Sequence, residues 1–288
     1  MQFVKALVLP LDQDLSPLLA MLKAQQIVHR VIERAGQQEL WTPQAQHAQV
    51  EALYQAWRAG GLAPPHQAAQ RPLPSRPIVG QLKRAPMTTA VLVLTALVAL
   101  ITQVGENFHT LSYFSFTDFY VQAPYLYFSS LNASLESGQW WRLISPILIH
   151  FGFLHLAMNS LWFWELGKRI EWRHGGLFLW LLTLVAGGLS NYAQYFFSGP
   201  SLFGGLSGVL YALLGYCWLY QRQMPSAFTS LPKGVVVMML AWLVLCLTGI
   251  VTWLGFGAIA NAAHVSGLIV GCLAGAVGGW RAKQQQVR

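Results

Sequence analysis

Along this chain of 288 residues the apolar positions change rhythm twice. Up to about residue 60 they come in short runs. Phe3 to Leu9 alternates with period two, as a half-buried strand does, and Leu15 to Gln25 repeats at helical spacing. Ile27 to Glu33 and Glu39 to Thr42 predict two further strands around a turn at Gly36. A helix is expected from there to about Arg58, with Thr42 as its N-cap and Pro43 in its first turn. The order strand-helix-strand-strand-helix describes a small α+β module over residues 1–60. No cluster within it resembles a catalytic site, so an accessory or regulatory role is expected.

From Gly60 to Gly80 the pattern dissolves into Pro, Gln, Ala and Arg, including Pro64, Pro65, Pro72, Pro74 and Pro77. That composition predicts a semi-extended linker, assigned to residues 61–84. Beyond it the apolar runs reach bilayer length, for which about 20 residues are needed. They fall near 86–104, 147–167, 177–197, 205–221, 233–254 and 259–280. The expectation is therefore an all-α polytopic membrane protein with six transmembrane helices over residues 85–288, preceded by the α+β domain. The Phe- and Tyr-rich stretch from Glu106 to Trp141 is too polar to span and too aromatic for a free linker. It is expected to lie half-embedded at the interface.

Composition agrees with that reading: 55% of residues are hydrophobic and only 10% charged, against about a quarter charged in soluble chains. A net charge of +8 would suit nucleic acid, but its distribution suits a membrane better. Lys83, Arg84, Lys168, Arg169, Arg173, Arg222, Lys233, Arg281, Lys283 and Arg288 all fall on the side that six spans assign to both termini. Only Arg142 falls opposite. The excess of basic residues on the cytoplasmic side then gives a cytoplasmic N-terminus and C-terminus. Cys217, Cys246 and Cys272 lie in apolar runs and read as small hydrophobes, not as a disulfide framework. Met1-Gln2-Phe3-Val4-Lys5 does not open a basic-then-apolar pattern, so no cleavable signal peptide is expected.

The candidate chemistry sits inside the apolar runs, where polar groups are costly. Ser207 stands in Gly204-Gly205-Leu206-Ser207-Gly208, and Tyr211, four residues on, shares its helical face. On the last span His264, Gly267, Gly271 and Gly275 form one stripe of the kind that lets two membrane helices approach closely. Gly205 and Gly208 bracket Ser207 in the same way, and packing these faces together would bring Ser207 and His264 within hydrogen-bond reach. Both are expected about one turn inside the outer end of their spans. A serine that meets a histidine is the minimum equipment for nucleophilic acyl transfer. No Asp or Glu follows Glu171, so a Ser-His dyad is expected instead of a triad, with Tyr211 placed to stack on the imidazole. His150, His155 and Asn159, near the outer end of the second span, are candidate oxyanion donors. The two histidines are five residues apart, about 140° around a helix, a poor spacing for two metal ligands. No metal or other cofactor is expected. Taken singly, each residue has a plainer reading: the serine bonding the preceding turn, the glycines as packing, the histidine as a helix contact.

These motifs resemble those of the rhomboid intramembrane serine proteases, and most closely a bacterial type. Gly205-Leu206-Ser207-Gly208 resembles the G-x-S-G nucleophile motif, and Ala263-His264-Val265-Ser266-Gly267 with Gly271 the A-H-x-x-G-x-x-x-G base motif. His155 to Asn159 resembles H-x-x-x-N, with His150 preceding it, and Trp141-Arg142 matches the W-R pair of the first loop. The likeness runs from about Arg84 to the end, and the small N-terminal module also fits. It implies a bacterial inner (plasma) membrane enzyme that cuts transmembrane protein substrates within the lipid bilayer. By that resemblance Ser207 is the nucleophile and His264 the general base. His150, Asn159 and the Ser207 N–H would form the oxyanion hole, with Tyr211 packed on the base. The loop from Phe256 to Ile259 would cap the site, and the second and fifth spans would flank substrate entry. A non-catalytic membrane chaperone of the same architecture is the alternative. A transporter is disfavoured, since no internal repeat is visible and the deep spans lack Lys, Arg and Asp.

Overall fold

The computed structural model describes residues 3–10, 13–34, 37–59, 78–225 and 229–287. It divides into two compact units, Met1–Pro77 and Ile78–Arg288.

In the first unit, β1 (Phe3–Pro10), α1 (Ser16–Ala24), β2 (Arg30–Arg34), β3 (Gln37–Pro43) and α2 (His47–Arg58) follow the expected order. The sheet is antiparallel in the order β1-β3-β2. Leu9 and Leu40 pack on Leu18 and Leu22 of α1 and Val50 and Tyr54 of α2, so alternation in the strands and the 3.6-residue period in the helices meet in one core. The expected turn at Gly36 and most of the expected linker lie outside the described residues. Where the linker was expected to continue, Ile78–Leu82 forms a short helix, α3, directly beyond the last proline of the run.

Thr42 does not cap a helix. It pairs with Val4 in the ladder and its hydroxyl donates to the Val28 carbonyl at 2.8 Å, across the sheet. Pro43 ends β3, a short 3-10 turn over Gln44–Gln46 intervenes, and α2 starts four residues later than expected. Sheet pairing outcompetes the local capping signal because it also buries Thr42.

The second unit is helical apart from one hairpin. Its long helices are α4 (Pro86–Ile101), α7 (Phe153–His174), α8 (Gly176–Ser198), α9 (Ser207–Gln223), α10 (Lys233–Leu247) and α11 (Asn261–Val287). Among the described residues, α8 and the Asn261–Gln285 stretch of α11 are long and apolar enough to cross a membrane, while α4 and α10 are apolar but shorter. Several boundaries differ from the apolar runs. The second run was expected from 147, but Ser145–Leu148 is a 3-10 turn, and α7 starts only after Gly152 at φ +91°. The fifth was expected to 254, but α10 stops at Leu247, two residues before Gly249 at φ +78°. Hydropathy reports burial in lipid or protein; it does not report backbone direction.

Between α4 and α7 the aromatic stretch folds into α5 (Phe108–Phe114), the hairpin β4 (Phe119–Gln122) and β5 (Tyr125–Phe128), and α6 (Leu131–Glu136). Arg142 is buried beneath it and holds it together. Its guanidinium donates to the Ser112 and Ser115 carbonyls and to Gln139, and pairs with Asp118 at 3.1 Å. Burial lowers its pKa from the ordinary arginine value, with the Asp118 charge opposing. Arg142 thus organises this segment, a role its isolated position in the charge pattern did not reveal.

The first turn of α4 is capped in trans. Glu171 of α7, buried, accepts from Met87 N and Thr88 N, both at 2.8 Å, and from the Thr88 hydroxyl at 2.7 Å. The carboxylate satisfies N–H groups that a helix start leaves unpaired, at the positive end of its dipole. Hydrogen bonds to a charged group contribute about 1.5–3 kcal/mol each, less when shared. Glu171→Ala is expected to destabilise the folded protein by about 3 kcal/mol. Glu171→Gln, which keeps an acceptor, should lose clearly less. Denaturation of the purified variants in detergent micelles measures both.

Candidate active site

The loop before α9 determines where Ser207 points. Gly205 has φ +117°, a conformation L side chains rarely adopt, and its N–H donates to the Pro146 carbonyl at 2.9 Å. A Cβ on Gly205 would lie 2.9 Å from the His155 ring and 3.3 Å from Asn159 Nδ2. One on Gly204 would lie 2.7 Å from the Pro146 carbonyl oxygen. Both glycines are therefore needed for the loop to lie against the Pro146–His150 segment and the first turns of α7. Gly205 belongs to this loop and not, as expected, to a helical packing stripe. Ser207 accordingly opens α9 instead of lying a turn inside it, and early N–H groups of a helix have no intrahelical partner.

The helix contact itself is the expected one. Cβ atoms on Gly267 and Gly271 would collide with the carbonyls of Gly208 and Ala212, and one on Gly275 would lie 2.5 Å from the Tyr216 carbonyl oxygen. From the other side, a Cβ on Gly215 would meet Leu268 O and Cys272 N at 2.8 Å. Helices α9 and α11 pack backbone to backbone from Gly267 to Gly275. At the end of that seam formed by the starts of α9 and α11, His264 Nε2 lies 2.7 Å from Ser207 Oγ. The Tyr211 ring is 5.1 Å from the imidazole, tilted by 45° instead of stacked flat, and its hydroxyl donates to the Met239 carbonyl of α10.

Three side chains of the α7 side converge on the same loop. His150 is fully buried and precedes α7, with Nδ1 3.2 Å from the Leu148 carbonyl oxygen. His155 Nδ1 accepts from Phe151 N at 3.4 Å, and its ring centroid lies 4.9 Å from that of His150. Asn159 is buried one turn further on. His150 Nε2 and Asn159 Nδ2 are buried without a hydrogen-bond partner among the described residues, as is His264 Nδ1. Buried polar atoms are nearly always paired, so two orphans around the His155 ring and the Gly205 loop are unusual. His150 Nε2 donates only in the tautomer that leaves Nδ1 without a hydrogen. Ser207 also borders a narrow cavity lined by Ile147, Ser190, Phe203, Gly208 and Ala263. Among the described residues no group of three His, Cys, Asp or Glu side chains could hold a metal ion.

A family model described as the Rhomboid domain matches residues 137–281, half of the chain, and one described as the Rhomboid N-terminal domain matches residues 1–67. The chain belongs to the rhomboid family. It is similar to the rhomboid protease GlpG of Serratia proteamaculans (strain 568), 40% identical over 192 residues, covering 66% of this chain and 62% of that protein. It is likewise similar to the rhomboid protease GlpG of Yersinia pestis (strain Pestoides F), 38% identical over 188 residues, covering 65% and 61%. The matches thus span about three fifths of these curated relatives.

In this rhomboid the seven candidate site residues, Ser207, His264, His150, His155, Asn159, Tyr211 and Gly205, lie in one neighbourhood around the start of α9. Pro146 is the residue the sequence did not flag. Its carbonyl anchors Gly205, yet a proline before an apolar run looks like any helix boundary.

Proposed function

We propose that this rhomboid is an intramembrane serine endopeptidase that uses a Ser207-His264 dyad to hydrolyse peptide bonds in or near transmembrane segments of membrane proteins. The observation that carries the reading is the 2.7 Å contact between Ser207 Oγ and His264 Nε2, with His150 Nε2 and Asn159 Nδ2 buried and unpartnered among the described residues. His264 Nε2 takes the hydroxyl proton as Oγ attacks the scissile carbonyl carbon. The developing oxyanion is met by Asn159 Nδ2, the Ser207 N–H at the helix start and, in its Nε2–H tautomer, His150. Collapse breaks the C–N bond, and His264 returns its proton to the departing amine. A water, deprotonated by the same nitrogen, then releases the acyl group and restores the serine. With no acid after Glu171, Tyr211 orients the imidazole by packing. His155 acts indirectly, wedged between His150 and the Gly205 loop.

In this reading α4 and α7 to α11 are six membrane spans of a bacterial inner-membrane protein, with both termini cytoplasmic. Domains run over 1–60 and 85–288, joined by 61–84, and substrates are transmembrane proteins. A helical scissile bond has its carbonyl in an internal ladder. Substrates cut near the outer face, where a helix frays, are therefore favoured. The test is cleavage of a single-span substrate co-reconstituted in liposomes, with products mapped by mass spectrometry. Cleavage at or near the membrane boundary, absent with Ser207→Ala, is expected. Stable substrate binding without any product would instead support a non-catalytic chaperone.

A further inference from the structure

For His264 Nε2 to take the Ser207 proton it must be bare beforehand, so the neutral imidazole carries its hydrogen on Nδ1. Once the serine proton has moved, Nδ1–H shares the positive charge. Yet Nδ1 is buried and has no partner among the described residues, carboxylate or other. A side-chain acceptor on the same helix is orphaned in the same way. Asn261 opens α11 three residues before His264, and its Oδ1 is buried without a partner. Residues three apart are neighbours on one helical face. A helical side chain also leans toward the N-terminus, so the His264 ring covers the turn that Asn261 opens. The other end of the amide is fixed, because Asn261 Nδ2 donates to the Cys246 carbonyl at 3.1 Å. A reversed amide would set two oxygens together, so Oδ1 is the end left for His264. The competing acceptor is Ser190 Oγ, buried and unpartnered as well. It lies where Cβ atoms on Gly208 and Gly267 would come within 2.9 and 3.1 Å of it. Gly267 is three residues beyond His264, on the side from which the ring leans away.

We propose that Asn261 Oδ1 accepts the Nδ1–H of His264 and holds the imidazolium while the serine proton is on it. An orphan donor and an orphan acceptor then satisfy each other. In the resting site the two atoms are not yet bonded, and a modest side-chain rotation or one bridging water joins them. Asn261 is a positioning residue that acts through His264, and the proposal rests on the Ser-His reading above and extends it. The proton taken by Nε2 passes on to the leaving amine, the Nδ1 proton stays on the ring, and the amide undergoes no covalent change. A neutral amide suits a buried site, because it orients the charged ring without the desolvation cost of a carboxylate.

The test uses the full chain in detergent micelles with two readouts. Nitrogen-proton correlation spectra of protein isotope-labelled at histidine report the His264 Nδ1–H directly, assigned by its loss in His264→Ala. A downfield, slowly exchanging resonance is expected in wild type. It should move upfield or vanish by exchange in Asn261→Ala and persist in Asn261→Asp. The rate of Ser207 labelling by a small fluorophosphonate reports how well Nε2 acts as base. Asn261→Ala should slow it about five- to tenfold, the margin by which a hydrogen bond to a charged group exceeds a neutral one. Asn261→Asp keeps the acceptor but loses the donor to Cys246, and should label clearly faster than Asn261→Ala. If Asn261 served only to tie α11 to Cys246, both variants would fall together, which overturns the proposal. An Nδ1–H resonance unchanged in Asn261→Ala, or one that moves with Ser190→Ala instead, overturns it too. Should Asn261→Ala fail to fold, the wild-type spectrum decides, since a rapidly exchanging Nδ1–H there overturns the proposal. If wild type resists labelling while the resonance responds to Asn261→Ala, the peptidase reading fails and the hydrogen bond stands.

Discussion

Ser207→Ala and His264→Ala are each expected to reduce peptide hydrolysis by about 10⁴- to 10⁶-fold, and the double variant to be no worse than either. The reason is the shared proton. A serine hydroxyl is a weak nucleophile until a base 2.7 Å away takes its proton, so removing either partner removes the same step. Removing one oxyanion donor, His150 or Asn159, leaves that step in place and costs about 10²–10³. The two classes should therefore separate clearly in a single-turnover assay. Fluorophosphonate labelling followed by gel fluorescence gives the same ranking without a substrate. Labelling retained in Ser207→Ala would remove that serine from the nucleophile role. Folding is controlled by circular dichroism and thermal denaturation, because His264→Ala deletes a buried ring packed on Tyr211.

Gly271→Ala is expected to have the largest effect on stability of any single methyl group in the protein. A Cβ at that position would overlap the Ala212 carbonyl, which is backbone and cannot rotate away. The helices must separate or tilt, and every close contact from Gly267 to Gly275 loosens with them. Overpacking typically costs about 1–3 kcal/mol where side chains can adjust, and more where they cannot. A loss of about 4 kcal/mol is expected, at the upper end for point changes. Activity should fall with it, since Ser207 and His264 sit on opposite sides of the same seam. Thermal denaturation in micelles measures the first effect, and fluorophosphonate labelling at a temperature where the variant remains folded measures the second. An unchanged melting temperature would mean that α9 and α11 are not held backbone to backbone. Gly234 of α10, where a Cβ meets nothing within 4 Å, lies outside this seam, and Gly234→Ala serves as the control.

Much of this was legible along the chain. The small-residue stripe His264-Gly267-Gly271-Gly275 is a period, and periods survive folding because a helix is straight over a few turns. The absence of acids after Glu171 is likewise a property of the chain, and it restricts what His264 can lean on whatever the fold. Helix ends were less legible. The capping signal at Thr42 was overridden by a strand pairing 38 positions away in sequence, with Val4. The apolar run from Ile147 hid a non-helical segment that brings His150 to the His155 ring from outside α7.

The chain by itself thus determined which residues are polar in an apolar setting, their helical faces and the seam that joins two of them. Only the tertiary structure decided that Gly205 turns a loop against Pro146, that Arg142 underpins the aromatic segment, and that Glu171 caps a helix 83 residues away. It also decided that Tyr211 reaches α10. The physical reason is the same in each case. Periodicity encodes local geometry, whereas these contacts are single hydrogen bonds made by groups with several possible partners, and the partner is chosen by where the packed helices bring the backbone.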